Sequence, residues 1–476
     1  MKKPEKIILF ITDHQRYDTF SALGHPVIKT PNFDRLMSEG VTFTKAYSHC
    51  PLCVPSRANL WTGLPAHVTG VLANRNKIPL GTLCIPEFFT DKNWYTVSVG
   101  RLHFSPFNNP HGFQRNFLSE GAPFINEMYI ENSEDPESIT GDTKIKGRGI
   151  PNFKRDRYLM PAEYPRGKDD EDVTTWVTET AISHLKKTGS LPTFMNIGYI
   201  RPHPEFNAVE GWNDMYPPDS IPLPENRFEK EGLPKAIVKL QNRRQQNMVI
   251  NDYVRDDILK QNLSVFYGDI SHIDHNLGKL VEALKQNKMW DDTLLICTSD
   301  HGEMIGNHGL YLKSNFYEES SHVPLIMTWP NGLPAGIKVE EVVSLQDIFT
   351  TCMELLEHPF AQKYLPYRHA NLVDMAYGMV PENNRVFIET QGGCEWGICN
   401  VGKQYKYSFY TYSDDSWEHS LFDLFEDPGE NTNIAEKSPE LVRKMRREIV
   451  SYLEPDVDFS HFLCNKLMLL KKLACE

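Results

Sequence analysis

Residues 6–14, KIILFITDH, form a continuous apolar run that ends in an acid and an imidazole. A run without polar alternation predicts a strand buried on both faces, as in the centre of a parallel sheet. Similar short apolar runs recur at residues 95–99, 193–200, 294–298 and 325–329. The chain therefore contains several candidate strands for one buried sheet.

Amphipathic helices are predicted between these strands, because apolar residues recur there at every third or fourth position. One such face carries Trp176, Val177, Ala181 and Leu185, and another carries Phe266, Ile270, Ile273, Leu277, Val281 and Leu284. Strands that alternate with helices predict an α/β sandwich around a mainly parallel central sheet. In such sheets, functional residues collect at the carboxyl ends of the strands.

Two segments interrupt this alternation. Residues 130–172 are polar and rich in Gly, Pro and charge, which predicts a surface insertion. Residues 225–262 are charged and weakly periodic, and we interpret them as helical and as a wall of a substrate pocket.

The pattern of the chain changes between residues 360 and 385. After this point we predict strands at 396–401 and 405–412 and a helix at 439–453. We therefore expect a large catalytic domain at 1–370 and a smaller C-terminal α+β domain, with an antiparallel sheet, at 371–476.

The charge balance of the 476 residues restricts the classes of partner. Lys and Arg number 50 against 63 Asp and Glu, which gives a formal net charge of −13. Most of the surface would repel a polyphosphate, so we expect no nucleic-acid partner. No stretch approaches the roughly 20 apolar residues of a membrane span, so we expect no membrane partner either.

The N-terminus and the cysteines predict a cytoplasmic location. Five apolar residues, Ile7 to Ile11, are too few for the core of a signal peptide, and no small-residue cleavage site follows them. A signal sequence removed beforehand would leave no trace in this chain. The nine cysteines are an odd number and are scattered, unlike a disulfide framework.

Two Asp-His pairs stand directly after predicted strands. Asp13-His14 follows the first strand, and Asp300-His301 follows the strand at 294–298. Either acid alone would be interpreted as a helix N-cap. Two such pairs at equivalent strand ends instead predict a site for a divalent metal ion, because carboxylates and imidazoles are ligands of such ions.

Residues 53–63, CVPSRANLWTG, predict a helix that begins near Cys53, because Pro55 fits a first helical turn. The exposed amides at such a helix start favour anions, and Arg57 lies one turn further on. Cys53 could also be an inert buried thiol or form a redox or zinc pair with Cys50. A structural zinc site would need a second pair with the same spacing, which Cys394 and Cys399 do not provide.

This cysteine segment is similar to the sulfatase signature C-x-P-S-R followed by L-x-T-G. Further segments resemble the same family in the same order: IKTPNFDRL at 28–36, VTFTKAY at 41–47, GRLH at 100–103, RPHP at 201–204, DHG through Lys313 at 300–313, and LFDL with DPGEN at 421–431. The resemblance extends over nearly the whole chain, and the shared order and spacing make it specific.

The resemblance implies an alkaline-phosphatase-like fold, an α/β/α sandwich, and oxidation of Cys53 to formylglycine by a separate generating enzyme during maturation. It also implies one divalent metal ion, which is Ca²⁺ in most sulfatases, bound by residue 53 with Asp13, His14, Asp300 and His301. The residues expected around the sulfate are Arg57, Arg101, His103, His203 and Lys313.

Two of these positions depart from the family pattern. His14 replaces the more usual Asp, Gln or Asn, and an imidazole there would favour Mn²⁺ or Zn²⁺ over a purely oxygen-bound ion. Arg101 replaces the usual lysine, which keeps the charge but changes the geometry.

The activity implied by the resemblance is hydrolysis of a sulfate monoester, of a small molecule or a saccharide, to an alcohol and inorganic sulfate. In the family, one hydroxyl of hydrated formylglycine attacks sulfur, and the other then loses its proton and expels sulfate. By the same resemblance, His103 would take that proton, and His203 or Lys313 would protonate the leaving alcohol.

Two other functions stay open. A phosphonate or phosphate ester hydrolase of the same superfamily can share formylglycine and the Asp-His metal pair, although His103 in its motif favours sulfate. An inactive binding protein on this fold would usually lack the nucleophile or the metal-binding acids, which are present here. Cys53 would also stay a thiol in a host without the generating enzyme.

The substrate alcohol is not specified by these motifs. Trp396, Lys403 and the insertion at 130–172 are candidates for the wall of its pocket. We interpret His272 and His275, which lie on a predicted amphipathic helix, as structural.

Overall fold

A computed structural model of the chain describes residues 3–104, 109–119, 130–131, 168–204, 206, 209–228, 233–246, 255–357, 370–382, 384–455 and 461–475. The strands are β1 (Lys6–Asp13), β2 (Val41–Phe43), β3 (Ala46–Tyr47), β4 (Tyr95–Gly100), β5 (Arg115–Leu118), β6 (Ile130–Glu131), β7 (Thr193–Pro202), β8 (Thr293–Ser299), β9 (His322–Val323), β10 (Leu325–Thr328), β11 (Ile337–Val339), β12 (Val343–Ser344), β13 (Val386–Thr390), β14 (Trp396–Val401), β15 (Tyr405–Thr411) and β16 (Trp417–Asp423). The α-helices are α1 (Pro31–Glu39), α2 (Cys53–Thr62), α3 (Ala66–Thr69), α4 (Ile85–Asp91), α5 (Val173–Thr188), α6 (Lys235–Gln246), α7 (Asp256–Gln286), α8 (Glu318–Ser321), α9 (Gln346–Leu355), α10 (Leu372–Ala376), α11 (Pro439–Leu453) and α12 (His461–Cys475).

The central sheet has nine strands among the described residues, in the order β11-β2-β10-β8-β1-β7-β4-β5-β6. The middle strand, β1, runs parallel to both of its neighbours, β8 and β7. The same direction continues through β4 and β5, whereas β10 and β6 run antiparallel to the strands beside them. The predicted mainly parallel sheet is therefore confirmed.

Helices cover both faces of this sheet. Alternate side chains of β1 lie in two different hydrophobic cores, each of which also contains helix residues. Ile8 and Phe10 lie in the core that contains apolar residues of α1, α5 and α7. Ile7, Leu9 and Ile11 lie in the core that contains residues of α2, α4 and α9. Burial on both faces explains the unbroken apolar run in the sequence. The fold is the expected α/β/α sandwich.

A separate antiparallel sheet, in the order β13-β14-β15-β16, lies near the C-terminus. Its core includes apolar residues of α11 and α12. Helix α11 coincides with the predicted helix at 439–453, whereas α12 was not predicted. The antiparallel C-terminal sheet is as expected, and the division of the chain at residue 370 stays a prediction.

The two predicted interruptions lie partly outside the described residues. Of the insertion at 130–172, the structure describes only 130–131 and 168–172. The segment at 225–262 contains α6 and the start of α7, as its helical interpretation predicted, and residues 229–232 and 247–254 lie outside the description. None of the helices in the described ranges combines the length and the hydrophobicity of a membrane span.

Candidate active site

Four adjacent strands, β8, β1, β7 and β4, end at the same edge of the central sheet, and predicted site residues follow each of them. Asp13 is the last residue of β1, and Asp300 directly follows β8. Thr12 pairs with Ser299 in the parallel register, so the two acids lie side by side. The backbone N–H of Asp300 also donates to the carbonyl of Thr12 at 3.2 Å. Adjacent parallel strands thus bring together two motifs that are far apart in sequence.

Arg101 enters the same edge from β4 because β4 and β7 approach closely at their ends. The N–H of Arg101 donates to the carbonyl of Gly198 at 2.7 Å. Glycine is required at position 198, since a Cβ atom there would lie 1.9 Å from the carbonyl oxygen of Arg101. His203 follows β7 on the other side of this contact.

Helix α2 begins at Cys53, as the position of Pro55 predicted. The buried sulfur of Cys53 lies 3.2 Å from Nε2 of His301 and 3.9 Å from Oδ1 of Asp13. Burial raises the pKa of the Cys53 thiol to about 11, and the charge of Asp13 adds to the effect. The unmodified thiol is therefore protonated at neutral pH and is a poor nucleophile.

Donor atoms of Asp13, Cys53, Asp300 and His301 all lie within 4.8 Å of one another, and the four residues are buried. Nε2 of His301 lies 3.7 Å from Oδ1 of Asp13 and 3.7 Å from Oδ1 of Asp300. Ligands of one divalent ion are separated by roughly 3.3–3.5 Å, since their bonds to the metal are roughly 2.0–2.4 Å long. These four donors therefore fit a metal ion after a small contraction.

A second group of donors, from Asp13, His14, Cys53 and His203, satisfies the same distance limit. Among the described residues, these two groups are the sets of three or more potential metal ligands that lie close together. Neither contains Cys50, the partner of Cys53 in the alternative zinc or redox pair. The two carboxylates and one imidazole of the first group suit Mn²⁺ or Zn²⁺ as well as Ca²⁺.

Arg57 and Arg101 bind the outer oxygens of the two carboxylates. Nε of Arg57 donates to Oδ2 of Asp300 at 2.8 Å, and Nε of Arg101 lies 2.7 Å from Oδ2 of Asp13. Burial alone would raise the pKa of Asp13, but the charge of Arg101, with smaller contributions from its other neighbours, holds that pKa well below its usual value. Each carboxylate thus directs its inner oxygen, Oδ1, toward the candidate metal position.

His103 and His203 are held in defined tautomers beside these cations. Nη2 of Arg101 lies 2.7 Å from Nδ1 and 3.4 Å from Nε2 of His103, and because a guanidinium only donates, Nδ1 is the nearer acceptor. Nδ1 of His203 contacts the carbonyl oxygen of Pro204 and is therefore a donor. Burial, followed by Arg101 for His103 and by Lys313 for His203, lowers the pKa of both rings well below the usual value. Both imidazoles are accordingly neutral near pH 7.

His14 lies between a carboxylate and an ammonium group, all three buried. Its Nδ1 is 2.6 Å from Oε2 of Glu303, and its Nε2 contacts Nζ of Lys313. Oε1 of Glu303 accepts hydrogen bonds from the backbone N–H groups of Ile305, at 3.2 Å, and Leu312. Sequence reasoning gave no role to Glu303, although it stands two positions after the second Asp-His pair.

The other residues singled out from the sequence lie away from this centre. His272 lies on α7, as predicted, with Nε2 2.6 Å from Oδ1 of Asp169. Trp396 is fully buried in the core of the C-terminal sheet, where its indole N–H donates to Glu389, so it cannot form a pocket wall. Lys403 is at the surface and pairs with Glu341 at 2.7 Å. His275 also lies on α7, its ring centroid 5.4 Å from that of Trp212, and all nine cysteines are free thiols.

The α/β/α architecture, with its mainly parallel central sheet, is that of the alkaline-phosphatase-like hydrolases. A sequence model of the Sulfatase family matches residues 5–358. The chain belongs to the sulfatase family, and it is an enzyme of the sulfuric ester hydrolase class.

Similar proteins cover nearly the whole chain. The arylsulfatase of Clostridium perfringens (strain 13 / Type A) is 26% identical and aligns over 94% of each protein. Arylsulfatase K of Homo sapiens is also 26% identical, over 98% of this chain and 86% of the human protein.

Two solved structures illustrate the range of the fold. The phosphonate monoester hydrolase of Agrobacterium radiobacter is 25% identical, with a TM-score of 0.75 over 95% of this chain and 96% of its own. A protein solved in complex with its substrate D-glucosamine-2-N,6-O-disulfate is 19% identical, with a TM-score of 0.76 over 97% of this chain and 100% of its own. The second likeness shows the shared fold.

Proposed function

We propose that this protein hydrolyses sulfate monoesters of a small molecule or saccharide to an alcohol and inorganic sulfate, with a formylglycine nucleophile made from Cys53 and one divalent metal ion. One observation carries the proposal: Cys53, at the start of α2, lies against Asp13, Asp300 and His301. The family membership supports the reaction class.

Asp13, Asp300, His301 and residue 53 would hold the metal ion. When bound, the metal would lower the pKa of a hydroxyl of hydrated formylglycine and so supply an oxygen nucleophile at neutral pH. The two carboxylates supply negative charge for a cation at this position. Their outer oxygens face Arg57 and Arg101, which leaves the inner oxygens directed to the centre.

The anionic sulfuryl group would bind against the arginines. Arg57 is 1% exposed, and its Nη2 has no hydrogen-bond acceptor among the described residues, with Oδ2 of Asp13 at 3.6 Å. A buried N–H group without an acceptor is costly, and a sulfate oxygen would satisfy it. Arg57 therefore offers a fixed donor where charge develops in the transition state, and Arg101 adds positive charge beside it.

The contacts of His203, Lys313 and His103 support roles for these groups in proton transfer. Because Nδ1 of His203 donates to Pro204, the neutral ring presents a lone pair at Nε2 and is suited to take a proton. Lys313 has donors and no acceptor, so we favour Lys313 over His203 as the proton donor to the leaving alcohol. The role of His103 as the base stays a prediction. Its Nδ1 accepts from Arg101, and with this nitrogen as the acceptor the neutral ring carries its proton on Nε2.

The decisive experiment compares turnover of p-nitrophenyl sulfate, p-nitrophenyl phosphate and a phenylphosphonate monoester by the wild type and by Cys53→Ala, with Ca²⁺ or Mn²⁺. We expect a preference for the sulfate ester that is lost in Cys53→Ala. A preference for the phosphorus esters would instead support the phosphonate hydrolase alternative, and equal activity of the mutant would exclude a nucleophile at position 53.

Two controls separate the parts of the proposal. Mass spectrometry of the peptide that contains Cys53 reports whether oxygen has replaced sulfur there, which requires a formylglycine-generating enzyme in the host. Removal of divalent ions with EDTA should abolish turnover, and adding back one ion at a time identifies the metal. A modified, metal-loaded protein that turns over none of the esters would support the inactive binding protein.

A further inference from the structure

The backbone on both sides of Lys313 has an uncommon conformation. Lys313 lies in the loop between β8 and α8, and its two neighbours have left-handed backbone angles, with a φ of 68° for Leu312 and of 76° for Ser314. Neither neighbour is glycine, so this conformation costs free energy and persists only where surrounding groups fix it. The groups that fix Ser314 therefore influence where the ammonium group of Lys313 lies.

The C-terminal sheet supplies one of these groups. Thr390 is the last residue of β13, and its hydroxyl donates to the carbonyl oxygen of Ser314 at 3.2 Å. The same hydroxyl accepts the backbone N–H of Gly392 at 3.0 Å. A hydroxyl has one donor and can accept at the same time, so both contacts can be made together. Thr390 is buried, and it joins the turn after β13 to the backbone of Ser314.

The turn after β13 also packs closely against Ser314. A Cβ atom at Gly392 would lie 1.7 Å from the carbonyl oxygen of Ser314, so this approach requires glycine. On the other side, the N–H of Ser314 donates to the carbonyl of Pro51 at 3.0 Å, and Pro51 stands two positions before Cys53. Ser314 is therefore held between the C-terminal sheet and the segment that leads to the nucleophile position.

Two further contacts fix the C-terminal sheet against the same two segments. The backbone N–H of Glu389, on β13, donates to the carbonyl of His49 at 2.8 Å. The ring of Phe316 lies 5.2 Å from the ring of Tyr410, on β15, and both rings belong to one buried core. The sheet is thus attached on both sides of Thr390 and can act as a rigid support for its hydroxyl.

We propose that Thr390, on the C-terminal sheet, is a positioning residue for the active site, because its hydrogen bond to Ser314 fixes the backbone that carries Lys313. The catalytic part of this proposal rests on the proposed sulfatase function. The structural part is the restraint of Ser314, and it can be measured without turnover.

The test uses the isosteric variant Thr390→Val, which removes the hydroxyl and keeps the shape of the side chain. Thr390→Ser keeps the hydroxyl and should behave like wild type. Thr411→Val is the matched control, because Thr411 is a buried threonine at the end of β15 whose hydroxyl donates to the carbonyl of Trp396 at 3.0 Å. Thermal unfolding is measured first for each variant, and Thr390→Ala takes the place of Thr390→Val if that variant is not folded.

Hydrogen exchange, followed by mass spectrometry of a peptide that contains Ser314, measures the restraint. We expect this peptide to exchange about threefold to 10-fold faster in Thr390→Val than in wild type, because a hydrogen bond that restrains Ser314 is lost. Thr390→Ser and Thr411→Val should exchange as wild type does. Equal exchange in Thr390→Val and wild type would overturn the proposal.

Kinetics with two esters measure the effect on Lys313. Phenol is a weaker acid than p-nitrophenol, so departure of phenol depends more on a proton donor. We expect kcat/KM of metal-loaded Thr390→Val to fall about 10-fold to 100-fold for phenyl sulfate and about threefold or less for p-nitrophenyl sulfate. Thr390→Ser should restore the ratio of the two values, and Thr411→Val should leave it unchanged.

These two readouts separate failure of the inference from failure of the proposed function. A ratio of kcat/KM values that is the same in Thr390→Val and wild type would overturn the proposal, even if Ser314 exchanged faster. Wild type that turned over neither ester would count against the proposed sulfatase function, and the exchange rates alone would then decide whether Thr390 restrains Ser314.

Discussion

Single side chains at this site have two functions at once, because each polar atom has a different partner. Arg57 is an example: Nε binds Asp300, Nη1 donates to the carbonyl of Arg101 at 3.2 Å, and Nη2 has no hydrogen-bond acceptor among the described residues. A planar guanidinium with donors in three directions can make these contacts together, whereas an ammonium group at the end of a flexible stem cannot.

Arg57→Lys should therefore impair catalysis although it keeps the charge. We expect kcat/KM for p-nitrophenyl sulfate to fall by about 10²–10³, the effect of removing one fixed donor from a developing anion. The measurement is steady-state kinetics of the metal-loaded enzyme.

The matched control for this prediction is Arg75→Lys, because Arg75 is exposed. It should leave kcat/KM unchanged. Retention of more than about a tenth of wild-type kcat/KM in Arg57→Lys would mean that charge alone suffices at this position.

At the scale of elements, α2 is fixed at both ends. It begins at Cys53, and its C-terminus is capped by Gly63, which has a φ of 66° in the left-handed region. A Cβ atom at Gly63 would lie 2.4 Å from the ring of Phe349 in α9. The end of the helix thus needs glycine both for its backbone and for its contact with a neighbouring helix.

Gly63→Ala should destabilise the protein by about 2–4 kcal/mol, from left-handed strain and from overpacking against Phe349. Gly81→Ala separates the two causes, since Gly81 has a φ of 82° and nothing within 4 Å of an added Cβ. We expect a loss of about 1 kcal/mol there, from strain alone. Urea unfolding of both variants measures the difference, and equal losses would argue against the contact with Phe349.

The start of α1 is capped by another helix. Oδ1 of Asp274, on α7, accepts the N–H groups of Asn32 at 3.0 Å and Phe33 at 2.8 Å, and Thr30 at the N-cap makes no side-chain capping bond. Asp274→Ala should lower the free energy of unfolding by about 1–3 kcal/mol, because one buried and one partly buried backbone donor lose their acceptor. Asp274→Asn keeps an oxygen at the same place and should lose less.

The same acid gives a prediction for pH. Burial raises the pKa of Asp274 to about 6, against 3.8 for an unperturbed aspartate. Between these values the folded protein binds a proton that the unfolded chain has released, so stability due to this group falls as the pH rises from about 4 to about 6. The difference in unfolding free energy between wild type and Asp274→Asn should shrink across this window and be constant above it. A constant difference from pH 4 to 7 would contradict the shift.

An element of the fold could be predicted from the sequence where the residues that determine it lie close together in the chain. The apolar run from Lys6 to Thr12 predicted β1 to within a residue, because the strand is buried on both faces and its own residues are therefore apolar. The C-terminal helix α12 also has local signal, with Leu467, Leu470 and Leu473 in the C-terminal core, but it was not recognised.

The candidate active site also has features that the sequence predicted and features that it did not. Both Asp-His pairs were predicted at strand ends, and the structure places them side by side. The pairing of His14 with Glu303 spans 289 positions and depends on the loop after β8, so no spacing rule could reveal it. The resemblance to the sulfatase family supplied the candidate residues. Only the folded structure shows which carboxylate oxygen of Asp13 or Asp300 faces the candidate metal position.

At the scale of the whole molecule, the C-terminal sheet is tied to the central part by a buried ion cluster. Lys406, on β15, is fully buried, with Nζ 2.8 Å from Oε1 of Glu318 on α8 and 3.0 Å from Oε1 of Glu430. Oε2 of Glu430 accepts the backbone N–H of Glu318 at 2.7 Å. Burial raises the pKa of Glu430 to about 8, even with Lys406 beside it. Lys406 is thus the cation that both acids share.

Lys406→Met should destabilise the protein far more than its size change implies. Two buried acids would be left without their cation, and loss of one partner from a buried charge cluster typically lowers stability by about 3–5 kcal/mol. Lys403→Met is the control, because Lys403 is exposed yet pairs with Glu341 at 2.7 Å, and such surface pairs contribute about 0–1 kcal/mol. Urea unfolding measures both. Similar losses in the two variants would show that the cluster does not stabilise the joining of the two sheets, whereas a large loss only in Lys406→Met identifies this cation as the centre of that contact.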